Sequence, residues 1–388
     1  MAYGADLTFS VHQPTRVVFG DGRVGELGRE CERLGIARAM VVTDRVMRER
    51  TDVVARVEKA LGPRLGAVYD AVIPDTGVEI VDDGARLARE RGCDGLVSVG
   101  GGSAIDTAKG MAIVMIEGGS IRDHQGTARL ARRQTPHIAV PTTAGTGSEV
   151  SRYIVVKDRR AQKKLHFMDD RIIPDAAILD PSLTVAMPAP LTAATGMDAL
   201  THAIEAYTAR SKNPISDGLA LQAIHLIADN LARAVAHSDD RVARGQMLIA
   251  ANIAGMAVNA SGVGLVHAMA HVIGARHGVH HGTGNAICLP HVIRFNADQL
   301  GNCYRAVAEA LGVDARDFGD EMAGEAAAQA VAQLAARIGL PPRLRDVGVP
   351  EGDLAACAEA SLADGAIASN GKFAADDKLV LGVYRNAY

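Results

Sequence analysis

The sequence has no tryptophan, and aromatic residues make up only 3% of it. That absence alone excludes nothing, but others are more informative. No apolar run approaches the roughly 20 residues that a membrane-spanning helix needs, so no membrane partner is expected. The opening "MAYGADLTFSVHQ" lacks the basic-then-apolar layout of a signal peptide. There is no basic block or stripe. The 41 Lys and Arg are interspersed with 45 Asp and Glu, for a formal net charge of −4, and nucleic acid is not an expected partner. Cysteine is sparse: Cys31, Cys93, Cys288, Cys303 and Cys357 are odd in number, scattered, and never spaced CxxC. They read as reduced thiols of a cytoplasmic protein rather than a disulfide framework. Internal repeats and low-complexity linkers are also missing. What remains is a 388-residue chain, 48% hydrophobic and 22% charged, with ample length for a core and room for two domains.

The two halves of the chain follow different patterns. The first alternates short apolar runs with helical stretches. "ARAMVVTD" (37–44), "CDGLVSVGGGS" (93–103), "HIAVPTT" (137–143) and "AAILD" (176–180) read as strands, and "VVARVEKALG" as a helix. Continuous apolar strands separated by helices predict a parallel sheet covered on both faces. After "MPAPLTAATG" (187–196) the strand-like runs almost vanish. Ala- and Leu-rich segments such as "GLALQAIHLIADNLARAVA" and "GEAAAQAVAQLAARIGL" take over, with apolar residues at i, i+3 and i+4. The prolines at 188 and 190 mark the boundary. The expectation is an α/β domain over 1–187 and an all-helical domain over 188–388.

"SVGGGSAIDTAKG" (98–110) leaves a strand and opens a helix. Its glycines let the backbone approach a phosphate, and the helix start presents N–H groups to an anion. The spacing is neither G-x-G-x-x-G nor a Walker A loop, because Ile105 stands where a last glycine would fall. The plainer reading is a tight turn with Ser103 as helix cap. A second loop, "VPTTAGTGSEVS" (140–151), suits a diphosphate or an amide, or simply caps the next element. Asp44 ends a strand, where a carboxylate can bond ribose hydroxyls, or again merely cap a turn.

Asp198 and His202, in "TGMDALTHAIEAY", are at i, i+4 and share one face of a helix. Alone they read as a first-turn acid and a core histidine. "GLVHAMAHVIGARHGVHHGTGNA" (264–286) changes that balance, with five of the chain's 13 histidines in 23 residues. His267 and His271 again stand at i, i+4. One carboxylate with several imidazoles suits Fe(II) or Zn(II), whereas Mg and Ca prefer oxygen shells. Spacing does not choose among His271, His277, His280 and His281.

Together, "GGGSAIDTAK", "VPTTAGTGSEVS", "MPAPLTAATGMDALTHAIEAY" and "GLVHAMAHVIGARHGVHHGTGNAICLPHVIRFN" resemble the iron-containing (group III) alcohol dehydrogenases, which include lactaldehyde reductases and 1,3-propanediol dehydrogenases. The resemblance runs from about residue 17 to about 349. It implies an N-terminal Rossmann-like domain for NAD(P), an all-helical metal-binding domain of the dehydroquinate synthase-like type, and a substrate cleft between them. Position by position it implies Asp198, His202, His267 and His281 as metal ligands. His271 is then a non-ligand near nicotinamide and substrate, and a candidate for passing a proton to solvent in the neutral pH range. The implied cofactor contacts are Gly101, Gly102 and Ser103 with Asp106 behind them, Thr142 and Thr143, Lys164, and Asp44, which favours NAD over NADP. Asp75, standing where the family's "PNP" has an asparagine that meets the cofactor, is a further implied cofactor contact. Two further departures are "ARHGVHHG", more polar than usual, and "SNGK" (369–372) in place of "TNPR".

The activity so implied is metal-dependent, NAD-linked oxidation of a small alcohol or reduction of a small aldehyde, by a homodimer or larger homo-oligomer. The weighed alternatives are a polyol or hydroxy-acid dehydrogenase of the same superfamily, a metal-dependent hydrolase with a nucleotide-binding domain, and a non-catalytic nucleotide sensor. The hydrolase needs a free carboxylate base, for which Glu205 is the only nearby acid in the helix motif.

Overall fold

The computed structural model describes residues 7–161, 163–374 and 376–388. The chain divides into two compact units. One comprises His12–Thr143 and Gly147–Ala186. The other comprises Met187–Tyr388, Ala144–Thr146 and a segment ending at Val11.

The described residues of the first unit form nine strands and five α-helices. The strands are β1 (Arg16–Phe19), β2 (Ala39–Asp44), β3 (Leu65–Val72), β4 (Gly95–Gly100), β5 (Gly126–Thr127), β6 (His137–Pro141), β7 (Tyr153–Asp158), β8 (Lys163–Met168) and β9 (Ala176–Leu179). The helices are α1 (Leu27–Leu34), α2 (Arg45–Arg50), α3 (Val53–Leu61), α4 (Val78–Glu90) and α5 (Gly102–Glu117). Six strands form a parallel sheet in the order β1-β9-β6-β4-β2-β3. Every residue of β4, β6 and β9 is buried, as expected of strands covered on both faces. One core packs α4 and α5 on one face, through Val81, Ala85, Ala108 and Met111. The other packs α1 and α3 on the opposite face, through Leu27, Cys31, Val53, Val57 and Leu61. The predicted strands correspond to β2, β4, β6 and β9. β1 and β3 complete the two edges, and a small sheet in the order β5-β8-β7 is added.

The topology locates a binding edge. From β2 the chain moves outward to β3, then returns to β4 on the other side of β2. The carboxyl ends of β2 and β4 therefore flank the point where the strand order reverses, the usual place for a ligand in an open α/β sheet.

The second unit is helical: α6 (Ala189–Thr208), α7 (Pro214–Ala236), α8 (Arg241–Ser261), α9 (Leu265–His277), α10 (His281–Ala310), α11 (Asp320–Arg337), α12 (Leu354–Leu362) and α13 (Asp377–Ala387). From Thr192 to Thr208, α6 is buried without interruption, and its small residues admit neighbours closely. Gly282, at the start of α10, makes one such approach: a Cβ there would stand 2.1 Å from the carbonyl oxygen of Ala194. Only glycine allows α10 to begin against α6 in this way. No single helix among the described residues is long and apolar enough to cross a membrane.

Candidate metal centre and cofactor turn

The close approach at Gly282 sets His281, the first residue of α10, beside α6. Asp198 and His202 lie midway along α6, one turn apart, so Asp198 is not the first-turn acid that its local sequence suggested. It is buried, and three imidazole nitrogens face its Oδ1: His281 Nε2 at 3.4 Å, His267 Nε2 at 3.7 Å and His202 Nδ1 at 3.9 Å. These distances are long for hydrogen bonds and suit donors arranged around a shared ion. Donor atoms of Asp198, His267 and His281 lie within 4.8 Å of one another. The His202 ring lies against His267, with centroids 4.5 Å apart.

The surrounding groups aim these donors. Glu205, two turns along α6 from Asp198, accepts from His267 Nδ1 at 2.5 Å and from the Val266 backbone N–H at 2.7 Å. With one proton held at Nδ1, Nε2 is the ring atom that faces Asp198, the carboxylate–histidine pairing common behind metal ligands. Asn285, one turn beyond His281, donates from Nδ2 to Asp198 Oδ1 at 2.8 Å. His202 Nδ1, His267 Nε2 and Asn285 Oδ1 are buried with no hydrogen-bond partner among the described residues. Unsatisfied buried nitrogens are costly, and a divalent ion would relieve two of them. The residues therefore fit a metal by their donor chemistry and by what they leave unpaired.

The electrostatics agree. Burial disfavours the Asp198 charge, yet the surrounding imidazoles hold its carboxyl well below the usual range. Burial alone would depress His267, but Glu205 and Asp198 lift it to about 9, so an arriving ion takes the place of the Nε2 proton. Burial takes His202 down to about 4.

His271 stands one turn beyond His267. Its Nδ1 lies 3.0 Å from Asp364, and its ring stacks on His281 at 5.3 Å. Burial draws its titration down to about 4, against the opposing pull of Asp364. This corrects the expectation of a neutral-range imidazole: the ring is neutral at pH 7. His280 is exposed, and His277 contacts Asp353 and Cys357 instead of this cluster. "SNGK" is structural. Asn370 Oδ1 accepts from the Leu265 N–H at the start of α9, and Lys372 bonds the Phe295 carbonyl and Asp298.

In the first unit, the glycine turn follows β4. Gly101, not Ser103, occupies the cap position of α5, which corrects the plainer reading of that turn. The leading N–H groups, from Gly102 and Ser103, carry the positive end of the helix. Gly100 has φ +148°, and a Cβ there would stand 2.9 Å from Ala104 and 3.9 Å from Asp44 Oδ2. Gly101 similarly faces Thr143. The Thr142 N–H donates to the Gly100 carbonyl at 2.9 Å, while its buried Oγ1 lacks a partner among the described residues. Asp44, Gly100, Gly101, Thr142 and Thr143 thus meet at one edge. Asp44 also caps α2 by accepting from the Met47 N–H at 2.8 Å.

The remaining expected contacts are placed differently. Asp106 directs both oxygens away from the turn, to the Ser148 hydroxyl at 2.5 Å and the Val155 N–H at 3.1 Å. Asp75 is exposed in the left-handed region, φ +52°, which Asp and Asn tolerate better than other side chains. Lys164 sits on β8 in register with Lys157, and no hydrogen bond among the described residues ties it to the turn.

Comparison with known proteins agrees with this geometry. A family model described as "Iron-containing alcohol dehydrogenase" matches residues 14–181. The model for the "Fe-containing alcohol dehydrogenase family, C-terminal" matches residues 192–388. The chain belongs to the iron-containing alcohol dehydrogenase family. It is 40% identical over 375 residues to the 1,3-propanediol dehydrogenase of Citrobacter freundii, covering 95% of this chain and 96% of that one. It is 40% identical over 350 residues to the lactaldehyde reductase of Escherichia coli (strain K12), covering 89% and 91%. A crystal structure of 1,3-propanediol oxidoreductase superposes with a TM-score of 0.96 at 38% identity, covering 98% of this chain and 100% of that one. The sulfoacetaldehyde reductase from Bifidobacterium kashiwanohense in complex with NAD+ gives 0.90 at 31%, covering 98% and 99%. As a member of this family the protein is an oxidoreductase, an NAD-linked alcohol dehydrogenase or aldehyde reductase.

Three side chains around the candidate sites escaped the sequence reading. Glu205 was weighed there only as a possible base, and Asn285 was not singled out; Glu205 contacts His267 and Asn285 contacts Asp198. Lys109 is fully buried in α5, and its Nζ donates to Ser148, to Ser151 and to the Tyr153 carbonyl, which fastens the second loop. An Asn one turn after a ligand His was the available signal for Asn285. Lysine inside an apolar helix was the signal for Lys109.

Proposed function

We propose that Asp198, His202, His267 and His281 hold one Fe(II) or Zn(II), that NAD(H) lies with its phosphates on the turn after β4, and that the enzyme interconverts a small alcohol and its aldehyde. The observation that carries this reading is the set of three imidazole nitrogens around Asp198 Oδ1, two of them without another partner. When bound, the metal supplies Lewis acidity at the substrate oxygen, and the nicotinamide accepts or returns the hydride. The protein's own groups do the rest. Glu205 keeps the proton on His267 Nδ1 and the ring aimed. Asn285 steadies the Asp198 carboxylate. His271, paired through Nδ1 with Asp364 and 22% exposed, relays the proton from the alcohol toward solvent. Asp44 selects NAD by contacting the ribose, and Thr142 uses its unpartnered hydroxyl on the cofactor.

The hydrolase alternative loses its base, because Glu205 is engaged with His267 and Val266. The relatives' substrates favour short alcohols, diols and hydroxyaldehydes here. The five buried cysteines, none of them in a disulfide, suit the cytoplasm, and a homo-oligomer is what the family resemblance implies. The test is NADH formation by metal-stripped protein on such a panel, before and after adding Fe²⁺ or Zn²⁺. Reloading is expected to raise turnover by about a thousandfold or more, matching several kcal/mol of charge stabilisation. Full turnover by metal-free protein would overturn the reading.

A further inference from the structure

We propose that His277, Asp353 and Cys357 form a second metal site, of the Zn(II) class, distinct from the cluster around Asp198. His277 is the last residue of α9. Asp353 precedes α12, and its side chain makes no cap bond there. Cys357 follows one turn later on α12. The donor atoms of all three lie within 4.8 Å of one another. His277 Nε2 is 2.8 Å from Asp353 Oδ2, and Cys357 Sγ is 3.8 Å from each.

One nitrogen, one sulfur and one oxygen form a donor set for a borderline ion. Zn(II) accepts it, whereas Mg and Ca do not take thiolate. The thiol is buried, while the His277 and Asp353 side chains are 14% and 23% exposed. An ion therefore has a route in, and a fourth position remains for water. The Arg276 guanidinium bonds both Asp353 oxygens, at 2.6 and 2.8 Å. That pairing leaves Asp353 ionised and fixed in orientation, with the lone pair of Oδ2 that now faces His277 directed at the cluster. Arg276 then supports the ligand from outside. Burial keeps the Cys357 thiol protonated at neutral pH. Binding exchanges that proton for the ion: the S–H bond breaks, a metal–thiolate bond forms, and one proton is released per ion. The Nε2 of His277 bonds the ion through its lone pair, which leaves a ring proton on Nδ1.

The thiol makes the site separable from the Asp198 cluster, which has none. Metal-free, full-length protein would be titrated with Co²⁺ and followed by thiolate-to-cobalt charge-transfer absorption and by bound equivalents. Two equivalents are expected, one of them with the thiolate band, and Zn²⁺ should displace the band. Cys357→Ser and His277→Ala should each remove the band and one equivalent while leaving the other. Asp198→Asn should remove the band-free equivalent and spare the band. Two variants on different helices guard against misfolding of either. A single equivalent without the band, or a band that survives Cys357→Ser, overturns the proposal. Failure of the catalytic-metal reading would appear as loss of the band-free equivalent only.

Discussion

The two units build their candidate sites in opposite ways. At the turn after β4 the candidate groups are mostly backbone, the leading N–H groups of α5, and one of the nearby acids, Asp106, is already engaged. In the helical unit they are side chains set midway along a buried helix or at the ends of its neighbours, and two of the nitrogens are left unpaired. A parallel sheet makes the first kind of site at little cost, because the βα turn must exist anyway. The second kind works against folding, since a buried carboxylate and unsatisfied imidazoles cost free energy until something binds them. The helical site should therefore respond to single side chains, and the α/β site to backbone geometry.

The sharpest test is Asp198→Asn. It should lose the metal and lower turnover by about a thousandfold or more, with far-ultraviolet circular dichroism unchanged. A variant that keeps both metal and activity breaks the comparison. Glu205→Gln should be milder. Metal affinity, measured by chelator competition, should fall about 10- to 100-fold, because the ligand remains but its orientation is lost. On the other side, Gly100→Ala places a Cβ at φ +148°, 2.9 Å from Ala104. Strain of about 1–3 kcal/mol should weaken NAD(H) binding, measured by calorimetry with NADH, roughly tenfold, with metal content by elemental analysis intact; loss of metal would show that the units are not separable in this way.

The smallest effect concerns His137, buried on β6 with Nε2 2.7 Å from Ser98 Oγ. Burial, with a further push from Lys109, pulls its titration to about 3. An unfolded imidazole titrates near 6.5, so the unfolded chain binds more protons between those values. This contribution to stability is complete above about pH 6.5 and declines as pH falls toward 3. By pH 5 the loss should be no more than about 2 kcal/mol. His137→Gln should flatten the fall in melting temperature between pH 7.5 and 5, and an unchanged slope would assign it to other groups.

Legibility in the sequence followed the range of the physics. β2, β4, β6 and β9 are near-continuous apolar runs and were visible. β1, mostly exposed, and β3, half-buried, carry mixed patterns that edge strands share with loops. The i, i+4 pair Asp198–His202 was visible, but its place midway along α6 was not, because prolines 188 and 190 start the helix earlier than Gly196 suggested. Nothing local showed that Glu205 would reach His267, or that Asp106 would turn to Ser148 and Val155.

By itself the sequence determined the fold class, the glycine turn and the kinds of residue that are candidates for a metal, because periodicity and residue chemistry act over a few neighbouring residues. Only the tertiary structure decided which imidazoles face Asp198 and which one, His277, pairs with Asp353 and Cys357 instead. Those distances run between separate helices, and for His281 they depend on a close approach that Gly282 alone permits against the Ala194 carbonyl.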